Sequence, residues 1–368
     1  MSYILSIGTK TPPYYYSQEK AKEFVHELFR SKYKKIDRLL NVFQNGQING
    51  RYFSAPLEWF KETHSFSEKN ERYVELATTL GIEAIKKTIE NDMFLTQSVH
   101  YDDIDAIFFI SSTGLSTPSI EAKIMNKLPF HEHTKRIPIW GLGCAGGASG
   151  IARANEYCKA FPETNVLVLC VELCSLTLQK DDITKSNIIG TSLFADGVAC
   201  SLVCGRESKL LQYSKIESLP MIIDNESTLM AHSEDVMGWE VKNTGLHVIF
   251  SKDIPTIIKN WLKPNVEKFL KRHQLTVEDV SQFIAHPGGK KVLDAYETAL
   301  NLSSEHLAHS TKVLNEFGNM SSVTVLFVMA EILNLNIQHG EFGLLFALGP
   351  GFSSECVLLK WHNVKGEI

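Results

Sequence analysis

Apolar residues recur at helical spacing across residues 70–91, where Val74, Ala77, Leu80, Ile82, Ala84 and Ile85 predict one buried helix face. A continuous apolar run at 104–110 predicts a buried strand, and a helical pattern covers 120–128. The run from Pro138 reads as a strand ending in a glycine-rich turn, with helical spacing again over 145–161. Strands follow at 166–171 and around 192–204. The second part repeats this order: a helix over 254–272, a strand at 283–285 and a helix over 290–300. A glycine turn at Gly318-Asn319 then opens a helix over 320–335, followed by strands at 344–348 and 354–361. Helices alternating with strands predict an α/β fold whose sheets are covered by helices.

Laid over each other, the two parts match element for element, which predicts an internal duplication with halves 1–215 and 216–368. The expected architecture is layered, α-β-α-β-α, with two buried central helices. Cys144 and Asn319 each stand at the turn that opens one of those helices. A pseudo-twofold axis between the halves would bring both turns to one site.

With 368 residues, 44% of them apolar, the chain can bury a core of that size. A net charge of −5 argues against nucleic acid and anionic membranes as partners. The N-terminal apolar stretch is short and lacks a basic lead-in, and no apolar run is long enough to span a bilayer. A soluble, cytoplasmic protein without a transmembrane segment is expected. The seven cysteines are odd in number and lie mostly in apolar segments, as buried free thiols do in a reducing compartment.

Chemistry concentrates at three places. Cys144 crests the turn Gly141-Leu-Gly-Cys-Ala-Gly-Gly147, where unpaired N–H groups and the helix dipole favour thiolate and small neighbours admit a substrate. His286 follows a short apolar strand in Ile284-Ala-His-Pro-Gly-Gly289. Asn319 lies in Gly318-Asn-Met-Ser-Ser322. Each alone has a plain structural explanation: a small buried thiol, a core histidine, a helix N-cap. Together they suit acyl transfer to sulfur, with His286 pairing the thiolate and His286 and Asn319 donating hydrogen bonds to an oxyanion or enolate.

At these residues the chain resembles the thiolase superfamily and, within it, type III polyketide synthases related to chalcone synthase. Beside the three stretches above, Ser112-Thr-Gly-Leu-Ser-Thr-Pro-Ser119, Ser192-Leu-Phe-Ala-Asp-Gly197 and Gly349-Pro-Gly-Phe-Ser353 carry the resemblance, which spans nearly the whole chain. Bacterial alkylpyrone- and alkylresorcinol-forming enzymes look most similar. The resemblance implies a thiolase-like fold and a homodimer using acyl-CoA and malonyl-CoA, with no cofactor or metal. It further implies that Cys144 is loaded by a starter and that malonyl-CoA is decarboxylated at His286 and Asn319. Phe194 matches an aromatic gate, and Gly349, Pro350 and Gly351 match a loop shaping the chamber. Cys174, Thr177 and Val248 are expected to line that chamber, and Gly288 and Gly289 to meet coenzyme A.

Three departures stand out. Counted from Lys252-Asp253, a second gating phenylalanine falls on Val248, which predicts extra room there. Thr117 replaces a methionine that in plant enzymes reaches the partner subunit. Of the basic cluster that grips coenzyme A phosphate only Arg51 is left, with Lys35 and Arg38 as substitutes that read more simply as solvated charges.

Other readings explain less. Gly141-x-Gly143-x-x-Gly146, with Glu172 ending a later strand, spells a dinucleotide fingerprint but leaves Cys144, His286 and Asn319 without roles. Cys170-x3-Cys174 and Cys200-x3-Cys204 lie in or beside apolar strands, and His131-Glu-His133 on a polar link, so none reads as a metal clasp. A β-ketoacyl carrier-protein synthase that initiates fatty acids shares the Cys–His–Asn set and is the main alternative. A thiolase would need a second catalytic cysteine, for which Cys356 is poorly placed.

Overall fold

The computed structural model describes residues 1–32, 36–251 and 254–364. Lys35 and the pair Lys252-Asp253 lie outside them. The strands are β1 Ser2–Lys10, β2 Tyr14–Ser17, β3 Gly50–Phe53, β4 Ala106–Ser111, β5 Lys135–Trp140, β6 Asn165–Leu173 and β7 Asp196–Gly205. They continue as β8 Ser218–Leu229, β9 Met237–Lys242, β10 Gly245–Phe250, β11 Val280–Ala285, β12 Phe342–Gly349 and β13 Ser353–Asn363.

Nine of these form one sheet in the order β11-β12-β13-β8-β1-β7-β6-β4-β5. In the first half β4 runs parallel to β6, and β6–β7 and β7–β1 are antiparallel. The second half repeats this: β11 is parallel to β12, and β12–β13 and β13–β8 are antiparallel. The halves join where β1 meets β8 through Ser2↔Ile222 and Tyr3↔Met221. The repeat covers four strands per half and is not element for element. β5, which leads to Cys144, has no counterpart; the segment before Asn319 is instead helix Ala308–Phe317.

Two helices fill the space between the halves. Helix Thr324–Leu333 has eight of its ten residues buried, in keeping with an apolar sequence on all sides. Helix Gly146–Ala160 approaches it closely because it opens on small residues. A Cβ on Gly147 would lie 2.1 Å from the Ser322 carbonyl oxygen, and one on Gly150 2.7 Å from Val168. Glycine is required there by contact, not by backbone twist. Helix Phe66–Ile89 covers the first half on β1, β7 and β6, completing the expected layering on that side.

The 254–272 segment is broken where one helix was predicted: Ile254–Ile257, a π-turn at Ile258–Leu262, then Lys263–Arg272. Pro264 has no N–H to give to the preceding turn, and the wider π-turn absorbs that loss. Around 192–204 the strand begins only at Asp196, because Lys185–Leu193 is helical behind a Thr184 cap. All seven cysteines are buried and free. No described helix is long and apolar enough to cross a membrane.

Candidate active site

β5 ends at Trp140, and the chain turns on Gly141 (φ +95°) and Gly143 (φ +48°), conformations that side chains rarely adopt. A short 3₁₀ turn, Gly143–Ala145, then holds Cys144 at the start of the central helix. The loop after β12 packs against the back of this turn. A Cβ on Gly143 would lie 2.7 Å from Pro350 Cδ, and one on Gly349 would lie 2.5 Å from the Leu142 carbonyl oxygen. Gly349 and Pro350 thus brace the cysteine turn, and the adjoining Leu348 supplies the chamber wall. Gly351 (φ +121°) lies beside Leu229 and does not reach the chamber.

From the second half, Asn319 reaches the same point. Its Oδ1 lies 4.0 Å from Cys144 Sγ and accepts the Ser321 N–H at 2.8 Å. Its Nδ2 donates to the Gly288 carbonyl at 3.1 Å, which fixes the amide's orientation and leaves one N–H free. The Asn319 backbone is stitched to the 194 turn: Asn319 N–H donates to Leu193 O and Ala195 N–H to Asn319 O, both at 2.9 Å. His286 leaves β11 with its N–H bonded to Phe346 O at 2.9 Å. Its ring is 2% exposed, and neither ring nitrogen has a hydrogen-bond partner among the described residues.

The three side chains line one chamber of about 460 Å³. Its wall is mostly apolar, with Leu193, Phe250, Ile254, Val292 and Leu348 among the lining residues. Lys185 and Lys291 also border it. Burial pushes the Cys144 thiol up to about 12, outweighing the lowering effect of its contacts with Ser321 and Asn319. Burial also drives the His286 imidazole down to about 3. Burial therefore works against the thiolate–imidazolium pair expected from sequence.

The remaining candidates fall elsewhere. Phe194, Cys174, Thr177 and Val248 line a separate cavity of about 30 Å³, room for one water. The Phe194 ring stacks on Phe250, their centroids 5.5 Å apart, and Phe250 faces the large chamber. This aromatic pair divides the two spaces. Val248 does not open extra room, because Phe250, two residues on and on the same face of β10, supplies the bulk. Periodicity of two along 246–250 is the signal that could have found it.

Arg51 is not a phosphate contact. It is 1% exposed, with Nε bonded to Gln18 Oε1 at 3.0 Å and one guanidinium nitrogen to the Thr191 and Phe194 carbonyls at 2.6 and 2.7 Å. Phe53 lies under it at 5.2 Å, and burial lowers its pKa to about 9. Arg38 is solvent-exposed. Gly288 lines the chamber, and Gly289 (φ +152°) caps helix Lys290–Leu300 against Leu193.

Glu172, which a dinucleotide reading would turn toward a ribose, is fully buried. It accepts from Ser112, Thr113 and Ser322, and burial raises its pKa to about 7. Among the described residues no cluster of His, Cys, Asp or Glu could hold a metal ion.

Comparison with known proteins agrees over the whole chain. The family pattern of chalcone and stilbene synthases matches residues 1–207 with its N-terminal domain and 222–362 with its C-terminal domain. A Bacillus subtilis protein carried under a provisional chalcone synthase name is 54% identical over 364 residues, covering 99% of this chain and 100% of that one. The 1,3,6,8-tetrahydroxynaphthalene synthase of Streptomyces peucetius is 30% identical over 97% of this chain and 93% of its own. The crystal structure of the Streptomyces coelicolor tetrahydroxynaphthalene synthase, a bacterial type III polyketide synthase, superposes with a TM-score of 0.90 at 28% identity. It covers 98% of this chain and 99% of that one.

Proposed function

The chain belongs to the chalcone and stilbene synthase family of type III polyketide synthases, and from that premise we propose what it condenses and how. Cys144 Sγ attacks the thioester carbonyl of an acyl-CoA starter; its proton passes to His286 and coenzyme A leaves as the thiol. Malonyl-CoA then loses CO₂, and its enolate accepts hydrogen bonds from neutral His286 and the free Asn319 N–H. The enolate carbon attacks the acyl-enzyme, forming a carbon–carbon bond and releasing Cys144 with an extended β-ketoacyl-CoA. After further rounds the chain closes by lactone formation or aldol condensation to an alkylpyrone- or alkylresorcinol-type product.

One observation carries this reading: Cys144, His286 and Asn319, drawn from both halves, line one mostly apolar chamber of about 460 Å³. That volume lies within the roughly 300–1,000 Å³ usual for small-molecule sites. An apolar wall without a buried counter-charge favours a fatty acyl starter. Lys185 and Lys291 take the coenzyme A phosphates in place of Arg51.

The halves 1–215 and 216–368 act as two thiolase-like units, and the enzyme works in the cytoplasm as a homodimer. Half-exposed Trp140 and Leu115, beside the free edge of β5, form the apolar patch a second copy covers. The test is incubation with labelled malonyl-CoA and acyl-CoA starters of graded length, followed by mass analysis. Pyrones or resorcinols formed without carrier protein support the reading. A simple β-ketoacyl thioester formed only from malonyl-carrier protein overturns it in favour of a fatty-acid-initiating synthase.

A further inference from the structure

Tyr296 lines the reaction chamber and has no role in the chemistry above. It sits on helix Lys290–Leu300, fully buried, and its hydroxyl has no hydrogen-bond partner among the described residues. A buried hydroxyl left unmatched is costly, and native proteins keep few of them. The ring is not loose: Phe346 meets it edge-on at 5.0 Å. The Phe346 carbonyl is also the group that accepts the His286 N–H, so Tyr296 and His286 are referenced to one strand.

Tyr296 and Cys144 line the same chamber, and burial raises the phenol's pKa above its ordinary value. The phenol stays protonated and can serve as a neutral donor. A saturated acyl chain offers nothing for it to bind beyond the thioester carbonyl. An extended chain carries a ketone two carbons further on.

We propose that the Tyr296 hydroxyl is a positioning and specificity group that donates a hydrogen bond to the β-carbonyl of the extended chain, so that the chamber prefers 3-oxoacyl chains over saturated ones. This rests on the condensation chemistry above. It gives the orphaned donor a partner that exists only after the first condensation, and so favours a second round over early release.

The experiment compares Cys144→Ala with Cys144→Ala/Tyr296→Phe, titrating each calorimetrically with a saturated acyl-CoA and its 3-oxoacyl-CoA counterpart of equal length. Loss of one neutral hydrogen bond is expected to weaken the 3-oxo ligand roughly fivefold and leave the saturated one within about twofold. Tyr296→Phe in the active enzyme is expected to raise the ratio of diketide to triketide products by a similar factor. Because no protein bond is lost, its melting temperature should equal or exceed the parent's. Equal weakening of both ligands, no weakening of either, or a lowered melting temperature with unchanged ligand preference overturns the proposal. If the Cys144→Ala parent binds neither ligand, the condensation reading fails and this inference falls with it.

Discussion

On one side of the Phe194–Phe250 pair lies a chamber of about 460 Å³ with Cys144 on its wall; on the other lies a space of about 30 Å³ with Cys174. Both thiols are buried and both are pushed up in pKa chiefly by burial, Cys144 to about 12 and Cys174 well above its usual value. Acidity does not separate the proposed nucleophile from Cys174 here. Room and uncommitted neighbours do. In the chamber with Cys144 stand His286, whose ring nitrogens have no partner among the described residues, and Asn319, which keeps an N–H to spare among them. Around Cys174 the polar groups are already committed: Asp196 accepts from the Ser54 and Ser175 amides at 2.6 Å each, and Glu172 from three hydroxyls.

The contrast can be broken first at sulfur. Cys144→Ala is expected to cut condensation by roughly 10⁴-fold or more with the circular dichroism spectrum unchanged. Product yield near wild type would remove Cys144 from the mechanism. Next come the donors: His286→Ala and Asn319→Ala should each lower malonyl-CoA decarboxylation about 10²–10³-fold, assayed as CO₂ release. Normal decarboxylation in either variant strips that residue of its role.

The protonation state gives a third effect. With the Cys144 thiol near 12, only a small thiolate fraction exists at neutral pH. Inactivation of the free enzyme by iodoacetamide should therefore rise about tenfold per pH unit from about pH 7 to 9. A plateau across that range would mean that a thiolate–imidazolium pair forms after all. Smallest is the other side of the partition, where Cys174→Ala and Val248→Leu should change turnover and starter-length preference less than about threefold. A marked shift in chain length from either would show that the small cavity opens during the reaction.

Cys144 and His286 were legible as candidates because each follows a strand at a glycine-marked turn, and Asn319 because Gly318 marks the turn after helix Ala308–Phe317. Their convergence was legible from the repeated order of elements, even though β5 breaks the repeat. What escaped was tertiary. Arg51 reads as a surface cation in any sequence window, and only the fold shows Thr191 and Phe194 turning their carbonyls inward to meet it. Helix Lys185–Leu193 was missed because Ile, Thr, Ser and Asn are weak helix formers; it rests on the Thr184 cap and on packing. The β9–β10 hairpin did carry a signal, alternating Trp239, Val241 and then Leu246, Val248, Phe250 about an Asn-Thr-Gly turn. The alternation marks one face of the hairpin, and only the fold shows that Phe250 on that face borders the chamber.

Phe194 and Asn319 form a two-residue parallel bridge, and Arg51 grips the Phe194 carbonyl from behind. A gate fastened in this way is a doorpost and not a door. The Asn319 amide and the Phe194 ring keep one frame, so a swing of Phe194 would carry Asn319 with it. Phe250, the other half of the partition, stands on the two-stranded β9–β10 hairpin outside the nine-stranded sheet. The two halves of the partition thus belong to different pieces of chain, and a substitution on the hairpin should leave the Phe194–Asn319 bridge in place.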